Sequence, residues 1–209
     1  MTTVAEFVIG GLADPWVAIG LHFSSDGRAN VGNTWLHCDS RLPPGLHSWV
    51  LCDAPQAVSS IDGLVTSYVD DVPALKMGSA NKASNSFQLA ILGVDHVVVN
   101  TPDLQRTSDA LAAATGEPLK RVRDAGNGVQ QGFHRLGGVI VEIVSSPNML
   151  AGPAIFWGLV FVVDDVDDVF IHVGPDVLSP PKPAVQPGRN IATFRSAAQL
   201  GVPCALMTR

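Results

Sequence analysis

The stretch GVDHVVVNTPDL, Gly93 to Leu104, decides how the rest of the chain is read. Val94 to Asn100 is β-branched and apolar, which predicts a strand. Thr101-Pro102-Asp103 predicts a helix start: Thr101 offers a cap, Pro102 suits the first turn, and Asp103 favours the positive helix end. Leu104, Leu111 and Ala114 recur on one helical face, and Gly116 stops the helix. A single histidine, His96, sits at the head of this apolar strand. Three readings are open for it: a metal ligand, a pocket residue, or an interior imidazole held by a hydrogen bond.

Moving outward, Leu119 to Arg123 predicts a second strand, Gln130 to Leu136 a third and Val139 to Val144 a fourth. Turns at Gly126-Asn127-Gly128 and Gly137-Gly138 separate them. The unit is β-α-β-β-β, and its order recurs. Phe156 to Val163 predicts a strand, and the acid run Asp164-Asp165, Asp167-Asp168 opens a short helix that Ile171 to Val173 continues. The proline-rich Leu178 to Pro187 reads as irregular strand or loop. Ile191 to Arg195 and Val202 to Met207 are the last two strands, so residues 94 to 209 hold two copies of one unit.

The first ninety residues read as a third, shortened copy. Phe7 to Ile9 is a strand and Asp14 to Ile19 a short helix. His22 to Ser24, Arg28 to Val31 and Asn33 to Cys38 are further strands. Leu46 to Asp53 opens a fourth copy that breaks off. The expected division is a degenerate, β-rich N-terminal region (1–76), a small and polar linker (77–90), and a two-module domain (91–209).

Bulk composition narrows the function classes. Of 209 residues, 46% are hydrophobic and 15% charged, with a net charge of −6. That suits a packed globular chain and disfavours nucleic acid or an anionic membrane as partner. The longest apolar run, Ala154 to Val163, is too short to span a bilayer. The N-terminus lacks the features of a signal peptide. Three scattered cysteines, Cys38, Cys52 and Cys204, predict reduced thiols and a cytoplasmic protein.

The segments DHVVVNTPDL with His96, GGVIVEIV with Glu142, and the closing GVPCALM resemble the vicinal oxygen chelate superfamily. That superfamily includes glyoxalase I, bleomycin-resistance proteins, fosfomycin-resistance enzymes and extradiol dioxygenases. The resemblance implies an α+β fold of paired βαβββ modules, closing into a cupped eight-stranded mixed sheet around a pocket. It also implies a divalent metal (zinc, nickel, manganese or iron) held by His or Glu from the first and fourth strand of each module. His96 matches the first-strand position and Glu142 the fourth. The second copy places Gly158 and Ala205 there, and neither side chain binds metal. His134, on the third strand, would add a third ligand if it points inward. Aligning VGNTWLHC with LGGVIVEI puts His37 at the Glu142 position, and aligning SWVLCD with LVFVVD puts His47 at the His96 position. A small-molecule ligand is the implied partner, with a second copy of the chain able to complete the site as a homodimer.

Bland readings stand beside these. A buried His–Glu pair satisfies itself without metal, and it can also act as an acid–base couple. The acid run lacks the glycine and terminal Glu of an EF-hand. Gly126 to Gly132 is not followed by a helix, as a phosphate loop would be. Lys182, Arg189 and Arg195 either meet an anionic ligand or solubilise the rim. Trp16, Trp35, Trp49 and Trp157 pack the sheets, or one of them faces a ligand. Three functions follow: a glyoxalase-like lyase, isomerase or dioxygenase using His96 and Glu142; a metal-independent binding protein that sequesters a small molecule, as bleomycin-resistance proteins do; or a structural protein with a filled pocket.

Overall fold

The computed structural model describes residues 1–70 and 87–209. Its first sheet contains β1 (Thr3–Gly10), β2 (Arg28–Val31), β3 (Thr34–Asp39), β4 (Gly45–Cys52), β5 (Ser60–Ile61) and β6 (Leu64–Val69), with helix α1 (Asp14–Ala18) after β1. The order is β2-β3-β1-β4-β6-β5. The central pair β1/β4 is antiparallel, and each of its members has a parallel neighbour, β3 or β6.

The second sheet repeats this plan with one more strand at each edge. It contains β7 (Gly93–Asn100), α2 (Leu104–Thr115), β8 (Arg121–Gly126), β9 (Val129–Leu136) and β10 (Val139–Ser145). Then come β11 (Ile155–Val163), α3 (Val166–Val173), β12 (Lys182–Pro183), β13 (Asn190–Thr193) and β14 (Cys204–Thr208). The order is β12-β13-β14-β11-β7-β10-β9-β8, again with a central antiparallel pair, β7/β11, and parallel flanks. This is the expected mixed eight-stranded sheet of paired βαβββ modules.

The N-terminal expectation needs correction. The fourth copy does not break off: β5 and β6 complete it, so the first sheet is also a pair of modules. Each lacks the strand that follows the helix in the larger sheet, and the second, β4 to β6, has no helix either. His22 to Ser24 is loop, because Gly20 and Gly27 at φ +95 and +77 turn the chain and Ser24 closes onto Arg28. The expected boundary at 76 and most of the linker, 77–86, lie outside the described residues; 87–90 carry no regular element.

One apolar core spans both sheets. Trp49 of β4 meets Phe156 of β11 edge-on at 5.2 Å, and Trp16 of α1 meets Phe161 at 6.0 Å. Trp49 is fully buried, and its indole N–H donates to Thr66 Oγ1 at 2.8 Å, which removes the cost of an unpaired donor. The Leu111 face of α2 is buried as its periodicity requires. Its N-cap is Asp103, which accepts from Arg106 N at 3.0 Å; the Thr101 hydroxyl bonds Asp103 N and Thr107 instead. Gly116, at φ +72, ends the helix in the left-handed conformation.

Asp62, in the β5–β6 turn at φ +48, joins the two sheets. Its carboxylate accepts from Arg106 Nε at 2.9 Å and from the Thr107 hydroxyl, and its carbonyl accepts from Ala154 N at 2.8 Å. Asp62→Asn keeps the turn but loses the charge-assisted bonds. It should lower unfolding stability by about 1–2 kcal/mol in urea titrations at unchanged slope. An unchanged midpoint would show that the turn contributes no coupling.

Candidate functional site

Register identifies equivalent positions in all four modules. Glu142 of β10 faces Val98, two residues beyond His96. The same offset finds Glu6 and His37 in β1/β3, where His37 faces Val8. It finds Ser48 and Ser67 in β4/β6, where Ser67 faces Val50. It finds Gly158 and Ala205 in β11/β14, where Ala205 faces Val160. Gly158, Ala205 and His37 therefore stand where the alignments put them. His47 does not: it is one residue off, and Ser48 holds the position.

A β-bulge recurs in every central strand. Pairing skips Ala5 and His47 in the β1/β4 ladder, and Trp157 and Asp95 in the β7/β11 ladder. Each skipped residue directly precedes the site position. A bulge inserts one residue and re-aims its side chain. His47 is a bulge residue, and its Nε2 lies 2.7 Å from the Pro43 carbonyl.

In β7 the bulge has a chemical consequence. Neighbouring residues of a regular strand point to opposite faces. The bulge at Asp95 instead lets its Oδ2 meet His96 Nδ1 at 2.8 Å. Asp95 Oδ1 accepts from Arg189 Nη1 at 2.8 Å, and Arg189 Nε donates to the Thr208 carbonyl at 2.6 Å. On the other side, His96 Nε2 lies 3.4 Å from Glu142 Oε2, and Glu142 Oε1 accepts from Gln131 Nε2 at 2.6 Å. The row is Arg189–Asp95–His96–Glu142–Gln131. The side chains of Asp95, His96 and Glu142 are only 10–14% exposed. Burial pushes the Asp95 carboxyl up, but hydrogen bonds from His96 and Arg189 outweigh it and hold the group below the usual carboxylate range.

His96 and Glu142 stand at a cavity of about 410 Å³ whose walls are Val98, Val144, Trp157, Val160, Ile191 and Pro203. The structure thus brings His96 and Glu142 together, but not His134. His134 pairs with Val141, one register step from Glu142, so it occupies the opposite face. It is buried there, with Nε2 2.9 Å from Ser108 Oγ on α2 and Nδ1 3.0 Å from the Glu117 carbonyl. The expected third ligand is replaced by a helix-to-sheet tie.

One imidazole and one carboxylate, His96 and Glu142, fall short of the three protein ligands of a catalytic zinc site. Among the described residues no three His, Cys, Asp or Glu side chains converge. Gly158 cannot supply one: a Cβ there would lie 2.5 Å from the Pro203 carbonyl oxygen. On the smaller sheet, Glu6 and His37 repeat the pair in reverse order. Arg28 Nε takes Glu6 at 2.6 Å, leaving His37 Nδ1 at 3.5 Å from it.

Sequence reasoning missed Asp95 and Glu6, and it left Arg189 undecided at the rim. Strict alternation places Asp95 on the face opposite His96, and only the bulge brings it round. Glu6 was legible, since VAEFVIG carries an acid inside an apolar run much as VIVEIV does.

No protein-family model matches the sequence, and no curated protein does. Solved structures do resemble it. Methylmalonyl-CoA epimerase from Mycobacterium tuberculosis is 15% identical, at a TM-score of 0.46 over 61% of this chain and 93% of that one. A Streptomyces coelicolor methylmalonyl-CoA epimerase variant in complex with 2-nitronate-propionyl-CoA is 17% identical, at 0.45 over 56% and 94%. A hypothetical protein from Bacillus halodurans is 14% identical, at 0.46 over 56% and 93%. The paired-module arrangement of this chain rests on its own strand order and register.

Two outcomes test the site's construction. Gly158→Ala should cost about 1–3 kcal/mol through the clash with Pro203; a neutral effect would show that the strand can shift. Burial lowers the His134 pKa from its ordinary value against the opposing pull of the Glu117 carbonyl. Its neutral form is favoured in the fold, so this stabilisation is full above about pH 6.5 and is lost as pH falls through the folded value. His134→Gln should therefore lose less stability than the wild type between pH 7.5 and pH 5.5, read by urea unfolding at both.

Proposed function

We propose that the trough of the eight-stranded sheet binds a small molecule, and that Asp95, His96 and Glu142 act at its polar end as a proton relay without a resident metal. The observation that carries this reading is the hydrogen-bonded row from Arg189 through Asp95 to His96, set beside Glu142 in a mainly apolar cavity that Asn100 and Thr193 also line. Asp95 is held ionised and only accepts, so its bond to Nδ1 places the imidazole proton there. Nε2 then faces the cavity beside the Glu142 carboxyl. Asp95 orients the ring and stabilises the imidazolium that forms when Nε2 takes a proton. Glu142 can receive or return that proton at the neighbouring position. A base oriented by a third group suits proton transfer on a bound molecule.

This keeps the glyoxalase-like reading in its proton-moving form. The apolar walls favour a second reading, sequestration of a ligand as in bleomycin-resistance proteins. The cytoplasm suits three buried free thiols.

Imidazole nitrogen shifts test the relay. In the wild type Nδ1 should carry the proton; in Asp95→Asn the tautomer should redistribute toward Nε2. Identical tautomers in both proteins would remove the relay and leave sequestration. Metal analysis is the second check. Untagged wild type should hold no stoichiometric Zn²⁺, Ni²⁺, Mn²⁺ or Fe²⁺. Ala205→His should gain Zn²⁺ affinity, because position 205 lies two strands from His96, about 9–10 Å between backbones. Stoichiometric metal in a wild-type dimer would replace this reading with one in which a second copy supplies the third ligand.

A further inference from the structure

Trp157 is the module-four counterpart of Asp95: both are the bulge residue one step before a site position. Asp95 uses that placement to orient His96. Trp157 uses it to reach the trough. The indole lines the same cavity as His96 and Glu142, yet the residue is 51% exposed, while Leu159 and Val160 on the same strand are buried. Large aromatic residues are mostly buried, so a half-exposed indole in a cavity wall is a face without a partner. Its neighbour Gly158 presents no side chain, and the Pro203 carbonyl excludes one. The floor beside the indole is therefore flat.

The lining also restricts ligand charge. It contains one carboxylate, Glu142, and no lysine or arginine. Arg189, the nearest cation of the row, is spent on Asp95 and the Thr208 carbonyl. An anionic ligand would meet the Glu142 carboxylate with no lysine or arginine beside it, whereas an O–H or N–H donor would find an acceptor. The volume of about 410 Å³ lies in the small-ligand range.

Resting on the proposed small-molecule site, we infer that its ligand is an uncharged planar aromatic molecule bearing one O–H or N–H donor, stacked on Trp157 with the donor directed to His96 and Glu142. Phosphorylated or carboxylated ligands are excluded from this class by the lining.

Four probes of one shape test it on the full chain: 2-naphthol, its methyl ether, 2-naphthoate, and the saturated non-planar decahydro-2-naphthol. Binding is read by calorimetry and by the imidazole signals of His96. The expected order has 2-naphthol tightest, with the ether and the saturated alcohol each about tenfold weaker, and no binding of naphthoate. Trp157→Ala should lose about tenfold toward 2-naphthol and leave the saturated alcohol unchanged, while Trp157→Phe retains most of the binding. Equal binding of the planar and saturated alcohols overturns the ring preference; if both still shift the His96 signals, the small-molecule site survives. Tighter binding of naphthoate overturns the charge argument. If 2-naphthol does not bind at all, the inference fails, and the tautomer test on Asp95→Asn still decides the relay independently.

Discussion

A single extra residue in each central strand governs this molecule. Without the bulge at Asp95, alternation would send its carboxylate to the face opposite His96, and the imidazole would have no orienting partner. The same irregularity places Trp157 on the trough wall and His47 against Pro43. Because a bulge shifts everything beyond it by one residue, it also sets which residues of each strand face the core. The site and the core therefore depend on one geometric constraint.

Four repetitions of that constraint link the two sheets. Their central pairs have the same antiparallel crossing, the same parallel flanks and the same bulge position, yet the four site positions hold different chemistry. Two modules carry a His and a Glu, one in each order; one carries two serines; one carries glycine and alanine. The smaller sheet neutralises its pair with Arg28, and the larger leaves Glu142 bonded to an amide and facing a cavity. Fold and site vary separately, as a shared scaffold with grafted function requires.

Much of the C-terminal half was legible because it obeys simple periods. Gly93 to Leu104 showed a strand and a helix start, Gly116 ended the helix, and VIVEIV marked a strand with a buried acid. Aligning the two C-terminal copies located Gly158 and Ala205 correctly, since both copies carry the bulge at the same place and the shift cancels. The N-terminal half was harder. Its modules are at least a strand short, so a search for five elements found a shortened third copy and a fourth that breaks off where two trimmed ones stand. His47 was misplaced because the alignment matched Asp53 to Asp164, and β4 has one residue fewer between its site position, Ser48, and that acid than β11 has after Gly158.

The sequence by itself determined the repeated βαβββ order, the apolar faces of its strands, and the presence of His96 and Glu142 at matching ends of one module. These follow from hydrophobic period and turn chemistry, which are local. Only the tertiary structure decided that His134 turns away to Ser108, that Asp95 turns toward His96, and that Arg189 crosses from the far edge to hold Asp95. Those outcomes depend on strand register and bulges, and a register is a relation between segments far apart in the chain. One residue of slip reverses the face of every side chain that follows.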